Sequence, residues 1–372
     1  MTSLWKGAGL ALALAGLTQV GAAAIKSADT SRPAKVAVKA EKKASRPAAK
    51  PVRAVPAPKY LSNRIDELGK VFDGQVGIAV KSVESGWETG WKDHDLYPQQ
   101  SVSKLWVAIT ALDAADRGKV SMDDKVTLTK ADLTVFHQPI RDEILKNGSY
   151  TTTLDDLMVR QITTSDNTAN DKLMEAVGGY KAVRAMIERK KLGAIRFSQG
   201  ERVMQSKIAG LDWSPSFSIG DAFWTAREKL PIKKRSAAFA QYIANPYDGA
   251  APSAIVNALA KLKKGDLLSP KSTARLLDIM GNTRTGPNRL KGGLAPGWTL
   301  SHKTGTGQVL GGVQAGYNDV GILTAPDGKS YTVAVMIKKT ATPLSVRMTL
   351  MNNVVAAVIR QHDMLKDKSY AP

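Results

Sequence analysis

The chain has 372 residues, 43% of them apolar and 23% charged, enough apolar length to bury a sizeable core. It contains no cysteine, which excludes thiol nucleophiles, thiolate metal sites and disulfides, and its four histidines (His94, His137, His302, His362) are too scattered to pair as metal ligands on one helix. The net charge is +20, and a large share of that surplus sits near the N-terminus.

In chain order, residues 1–24 are expected to be a secretory signal peptide. Lys6 supplies the positive start, Gly7 to Val20 the short apolar stretch, and Ala22-Ala23-Ala24 a small-residue cleavage site. The apolar stretch is short for a membrane span, and an uncleaved anchor is the alternative. Export in turn implies a periplasmic location. Residues 25–59 hold ten Lys and Arg against two acids, a net +8, in an Ala- and Pro-rich context. Such a segment cannot bury enough apolar surface to fold, so a disordered linker is expected. An exported linker of this charge is either merely solvated or in contact with anionic envelope surfaces; no nucleic-acid partner is expected.

A single folded domain is predicted over 60–372. Leu61 to Phe72 reads as an amphipathic helix, Gln75 to Lys81 as a strand, and Trp87 to Trp91 as its hairpin partner across a Ser85-Gly86 turn. A long helical block is predicted over roughly 101–290. Strands follow at Trp298–Thr304, Gly312–Tyr317, Val320–Leu323 and Tyr331–Ile337, with Asp327-Gly328 as a hairpin turn, and Leu344 to His362 closes as a helix. The expected fold class is α/β of the α+β kind: one antiparallel sheet built from both chain ends, with an inserted helical lobe.

Three motifs occur in order: Ser101-Val102-Ser103-Lys104, Ser165-Asp166-Asn167 and Lys303-Thr304-Gly305. Ser101 opens an apolar helix, whose dipole favours negative charge at its N-terminus, and Lys104 at i+3 shares its face. A lysine against an apolar pocket can serve as a base toward a serine hydroxyl. Taken alone, the pair also fits a plain helix cap beside a surface lysine. Ser165 suits a proton relay and Asn167 a hold on a substrate carbonyl or on the lysine, with Asp166 better placed to fix the loop, although these residue types also make ordinary turns. Lys303 places positive charge at a strand end, and the glycines after it let substrate approach the backbone closely.

With these motifs and their contexts, Thr163 to Asn170 and His302 to Gly307, the chain from residue 60 onward resembles the serine β-lactamase and penicillin-binding transpeptidase superfamily, most closely class A β-lactamases. The resemblance implies Ser101 as nucleophile, Lys104 as base, Ser165 as proton shuttle, and Asn167 and Lys303 as substrate contacts, joined by Thr304, Gly305 and Thr306. It also implies an oxyanion hole formed by the N–H groups of Ser101 and Thr306. The counterpart of the family's deacylating glutamate is Glu201, in Glu201-Arg202-Val203-Met204-Gln205, where the family's proline is missing and glutamine replaces asparagine. Glu201 either holds the deacylating water or is a helical surface residue. Residues 206–244 are a long insertion relative to the family, expected to wall the site with aromatic rings, Trp213 and Trp224 among them, or simply to pack onto the domain. His137 occupies the family's aromatic gate position and is expected at the rim.

These readings favour an exported esterase acting through acyl-Ser101 on envelope carbohydrate or peptidoglycan-derived substrates, as in an esterase offshoot of the superfamily. A class A β-lactamase with a β-lactam ligand, a D,D-carboxypeptidase and a glycan-binding module with a vestigial site are the alternatives. No cofactor is expected.

Overall fold

The structure is a computed structural model and describes residues 55–366. The expected signal peptide and all but the end of the expected linker lie outside the described residues. The linker was expected to run to residue 59, but Lys59 already begins the first helix.

α1 (Lys59–Val71) buries Leu61, Ile65 and Leu68, a one-sided stripe at i, i+4 and i+7. β1 (Gln75–Ser82) and β2 (Glu88–Trp91) then form an antiparallel pair with Ile78 opposite Trp91. At the far end of the chain lie β7 (Thr299–Thr306), β8 (Val309–Leu310), β9 (Val313–Thr324) and β10 (Ser330–Thr340), followed by α12 (Leu344–Lys366). The strands assemble in the order β2-β1-β10-β9-β7 with β8 on β9, all antiparallel. This is the expected sheet from both chain ends.

Strand alternation divides its residues between two layers. Ile78, Val80, Val333, Val335 and Ile337 pack with the buried faces of α1 and α12. Ala79, Ala334 and Met336 face the other way, into the core of the helical lobe. Full burial of each large aliphatic side chain contributes about 1.5–3 kcal/mol, so both faces hold the sheet in place.

The lobe contains α2 (Lys104–Asp116), α3 (Ile140–Asn147), α4 (Leu154–Thr163), α5 (Asn167–Ala176), α6 (Gly179–Arg189), α7 (Glu201–Ile208), α8 (Ala222–Lys229), α9 (Ile232–Ala244), α10 (Pro252–Lys264) and α11 (Pro270–Gly281). α2 is buried from Lys104 through Ala114, with no polar face, which is the pattern of a central helix.

Two expectations need correction. The block over 101–290 also contains an antiparallel ribbon, β4 (Lys125–Thr129) with β5 (Ser149–Thr153), whose threonine-rich strands favour extended backbone. A short pair, β3 (Tyr97–Pro98) with β6 (Gly249–Ala250), bridges the lobe. Second, Gly312–Tyr317 and Val320–Leu323 are one strand, β9. The polar pair between them, Asn318-Asp319, is buried rather than looped out. Asn318 donates to the carbonyls of Pro98 and Gln99, and Asp319 accepts from the Leu290 N–H and faces His302 Nδ1. Among the described residues no helix is long and apolar enough to cross a membrane.

Candidate active site

Ser101 sits in a 3-10 turn, Gln100–Ser103, that leads directly into α2. The turn is fixed from several sides. Gln99 Nε2 donates to the Arg196 carbonyl at 2.9 Å, Trp106 Nε1 donates to Gln99 Oε1 at 2.6 Å, and the Gln100 N–H donates to Asp248 Oδ2 at 2.6 Å. Gln100 is held at φ +53°, a left-handed conformation costly for a residue with a Cβ. These bonds stabilise a sharp bend that leaves Ser101 part-exposed at the cleft.

The Lys104 side-chain nitrogen is fully buried and surrounded by oxygen atoms. It lies 3.0 Å from Ser101 Oγ, 2.8 Å from the Ser165 carbonyl, 3.3 Å from Ser165 Oγ, 2.5 Å from Asn167 Oδ1 and 3.5 Å from Glu201 Oε1. Lys303 reaches the same Ser165 hydroxyl from β7 at 3.0 Å. Ser165 therefore joins two lysines, with its backbone at φ +63°. Burial, followed by the neighbouring charges of Lys104 and Arg289, holds the Lys303 ammonium well below its usual proton affinity.

Asp166 faces away from the reacting groups. Its carboxylate accepts from the Ala169 N–H, capping α5, and from the Ile140 N–H at the start of α3. Asn167 donates to the Val135 carbonyl at 2.8 Å, which ties the loop over the cleft to α5.

Glu201 is not a surface residue: it is 2% exposed and lines the same cleft as Ser101. It opens α7, and its N–H donates to both oxygens of Asp171 at 3.0 Å. Burial, with the nearby Glu201 charge, pushes the Asp171 carboxyl up to about 7. Gln205, one turn on, donates to Glu201 Oε2 at 3.1 Å. The proline of the family's motif is absent, yet the glutamate is held.

At the strand edge, a Cβ on Gly305 would lie 2.2 Å from the Gln99 carbonyl oxygen, so β7 approaches the nucleophile turn as closely as it does only with glycine there. Thr304 Oγ1 pairs with Thr285 Oγ1 at 2.6 Å. Thr306 Oγ1 accepts from Arg289 Nη2 at 2.6 Å, and Arg289 Nη1 donates to the carbonyls of Gly305 and Asn318. The guanidinium lies 3.8 Å from the Tyr317 ring centroid. Sequence reasoning missed Arg289: it lies in a Gly-Pro-Asn loop with no motif of its own, and only the fold carries it to β7.

Residues 206–244 form the rest of α7, a 3-10 turn at Pro215–Ser218, α8 and α9. Phe136, beside exposed His137, stacks on Trp224 at 5.2 Å and meets Phe223 edge-on at 4.8 Å. Arg227 Nη2 donates to the Val309 carbonyl at 2.9 Å, tying α8 to the tip beyond β7. Trp224 lines a cavity of about 530 Å³ that shares Phe136, Gln205 and Thr306 with the Ser101 cleft. Trp213 does not join it there. Its ring packs edge-on against Phe217 and under Arg202, so its expected substrate contact is replaced by a packing one.

The cleft itself measures about 240 Å³ and is lined by Ser101, His137, Ser165, Asn167, Glu201, Thr304 and Thr306, with Arg289 among its other walls. It brings the Ser101 hydroxyl, a lysine beside it, one carboxylate and a cationic edge into one small space, a set suited to acyl transfer.

Residues 59–362 match the family described as the Beta-lactamase enzyme family. The chain is 30% identical over 280 residues to a β-lactamase of Bacteroides uniformis, covering 74% of this chain and 82% of that one. It is 28% identical over 278 residues to the β-lactamase VEB-1 of Pseudomonas aeruginosa, with the same coverage of each. Among solved structures, a β-lactamase from Chitinophaga pinensis superposes with a TM-score of 0.68 at 27% identity, covering 81% of this chain and 99% of that one. TLA-1 extended-spectrum β-lactamase gives 0.67 at 27% identity, covering 80% and 96%. The fold, the residues around Ser101 and these likenesses agree: the chain belongs to the β-lactamase enzyme family and is a serine hydrolase of the class A β-lactamase-like kind.

Proposed function

We propose that the protein hydrolyses β-lactams through an acyl-enzyme on Ser101, with Glu201 directing deacylation. In acylation, Lys104 acts as the base and takes the Ser101 proton as Oγ attacks the carbonyl carbon. The N–H groups of Ser101 and Thr306 receive the developing oxyanion. Ser165 passes a proton from Lys104 to the leaving nitrogen as the C–N bond breaks. In deacylation, Glu201 removes a proton from water as its oxygen attacks the ester carbon, and Ser101 regains its proton through Lys104. Lys303, Thr304 and the Arg289-held Thr306 provide the site for an anionic substrate group, and Asn167 contacts the substrate's amide side.

One observation carries this reading. Glu201 is buried in the cleft 3.5 Å from Lys104, where a base for the second half-reaction is needed and a D,D-carboxypeptidase has none. The family's names for its relatives point the same way. The altered motif around Glu201 gives no reason to prefer simpler esters, because Gln205 holds the glutamate as a motif residue would.

Ester hydrolysis on envelope carbohydrate or peptidoglycan-derived groups is the second reading. It draws on Trp224, which is 41% exposed beside the cavity next to the cleft and offers a flat apolar face to a ring. Both readings place the protein in the periplasm, on the strength of its N-terminal sequence.

The two separate by turnover of a chromogenic cephalosporin against a 4-nitrophenyl ester. Rapid cephalosporin turnover, lost in Ser101→Ala and arrested as acyl-enzyme in Glu201→Gln, is the expected result. Ester turnover without cephalosporin turnover transfers the conclusion to the second reading, and indifference of both to Ser101→Ala removes the catalytic account.

A further inference from the structure

Beneath the nucleophile turn, a buried hydrogen-bond chain runs from the inserted helix α9 to Glu201. The Tyr242 hydroxyl donates to Asp248 Oδ1 at 3.0 Å and accepts from Gln100 Nε2 at 2.5 Å. Gln100 Oε1 accepts from Gln205 Nε2 at 3.0 Å, and the same nitrogen donates to Glu201 Oε2 at 3.1 Å. Gln205 Oε1 in turn accepts from Gln308 Nε2 at 3.1 Å. Tyr242, Asp248, Gln100, Gln205, Glu201 and Gln308 are all buried.

Donor and acceptor accounting gives this chain one direction. If the Gln205 amide turned over, its oxygen would face the Glu201 carboxylate and Gln100 Oε1, and its nitrogen would face Gln308 Nε2. Each of these contacts would become repulsive, so Gln308 and Gln100 lock Gln205 as a donor to Glu201. Gln100 is locked likewise, because its Oε1 must accept from Gln205 Nε2, which turns its own Nε2 to the Tyr242 oxygen. Glu201 Oε2 is thereby occupied, which leaves Oε1 turned to Lys104 and the cleft. Of these side chains only Gln308 keeps a buried atom without a partner, its Oε1; a buried network so nearly satisfied fixes geometry tightly, and one broken link leaves a costly unpaired group.

We infer that Tyr242 and Gln100 are positioning residues for deacylation, holding Glu201 through Gln205, and that the insertion supplies this support from below as well as a wall at the rim. The inference rests on the reading of Glu201 as the base for the deacylating water. Acylation draws on a different set: Lys104 is held by the Ser165 carbonyl and Asn167 Oδ1, neither of which belongs to the chain from Tyr242. The two half-reactions therefore respond differently to its loss.

The test is Tyr242→Phe, which removes one hydroxyl and keeps the ring packed among Met204, Ile208 and Phe239. Gln308→Leu is the second variant, and Glu201→Gln the reference. Stopped-flow bursts and intact-protein mass spectra with a chromogenic cephalosporin and 4-nitrophenyl acetate give acylation and deacylation separately. Deacylation is expected to slow about 10-fold in each variant, the loss of one hydrogen bond's positioning, with acylation within about 3-fold. kcat and KM then fall together, kcat/KM holds, and acyl-Ser101 accumulates. Glu201→Gln accumulating acyl-enzyme while neither Tyr242→Phe nor Gln308→Leu does so overturns the inference and leaves the deacylation reading standing. An equal fall of kcat and kcat/KM in both variants also overturns it, since that marks general damage. Absence of accumulation in Glu201→Gln itself removes both.

Discussion

Lys303 donates to the Ser165 hydroxyl at 3.0 Å, and Lys104 approaches that hydroxyl at 3.3 Å, so one serine oxygen lies between two buried lysine nitrogens. The positive charge of Arg289 is a further cause of the lowered proton affinity of Lys303. Removing a neighbouring cation makes an ammonium easier to keep. Arg289→Ala should therefore raise the Lys303 pKa and move the alkaline limb of the kcat/KM profile to higher pH. The same change frees Thr306 and should lower kcat/KM about 10-fold. Arg289→Lys should keep the limb near its original position. Steady-state kinetics from pH 6 to pH 10 on the three proteins check this, and a limb that stays put in Arg289→Ala refutes it.

Gly305→Ala tests the closeness of β7 to the nucleophile turn. The added Cβ meets the Gln99 carbonyl oxygen, a backbone atom that cannot swing aside. Strand and turn must separate, and a displacement near 1 Å between reacting groups costs about 100-fold in rate. A fall of that order in kcat/KM is expected, with a melting temperature lower by several degrees. Near-normal activity would mean that the turn tolerates the shift.

Asp248 offers a pH test of stability. Burial pushes its carboxyl up to about 7, from an ordinary value of 3.8. The native state thus keeps a proton that the unfolded chain releases from about pH 4 upward. Its stabilising contribution is complete below about pH 4 and is lost as pH rises through about 7. Asp248→Asn carries no such charge at any pH. Its melting temperature, relative to the parent, should rise between pH 5 and pH 8 by the equivalent of about 1–3 kcal/mol. A constant difference across that range contradicts the assignment.

Trp224→Ala tests the aromatic wall. It removes the stacked contact with Phe136 and the edge contact with Phe223, at a cost of about 1–2 kcal/mol for a half-exposed ring. Calorimetry should register that loss. Turnover of a small acetyl ester should change by less than about 3-fold, while KM for a substrate bearing a ring should rise about 10-fold. Equal effects on both substrates would assign the ring to packing alone.

The chemistry was legible wherever one short segment holds both a reactive group and its spacing. Ser101 and Lys104 meet because i and i+3 stack where the 3-10 turn runs into α2, and Ser165 with Asn167 brackets a helix cap. Lys303 marks its strand end in the same local way. Arg289, Tyr242 and Asp248 were not legible, since their partners lie on other elements and no local pattern marks them. Trp213 and Trp224 are the same residue type in the same insertion, and only the packing around α8 separates a cavity wall from a contact with Phe217. The threonine-rich ribbon β4–β5 was lost in a helical surrounding. β9 reads as two strands because Asn318-Asp319 looks like a turn until buried partners for both side chains are known.

The pairing of Val76 with Ile337 at the centre of the sheet also governs when this protein comes into being. A ribosome delivers β1 long before β10 exists, and β1 must wait with one edge unpaired until the long segment between them has been made. The turn bearing Ser101 waits with it, because Asn318 on β9 braces that turn through the carbonyls of Pro98 and Gln99. Contacts this distant in sequence form slowly. Synthesis halted before β10 should therefore yield no partly active fragment: competence arrives late and all at once, with the last strands.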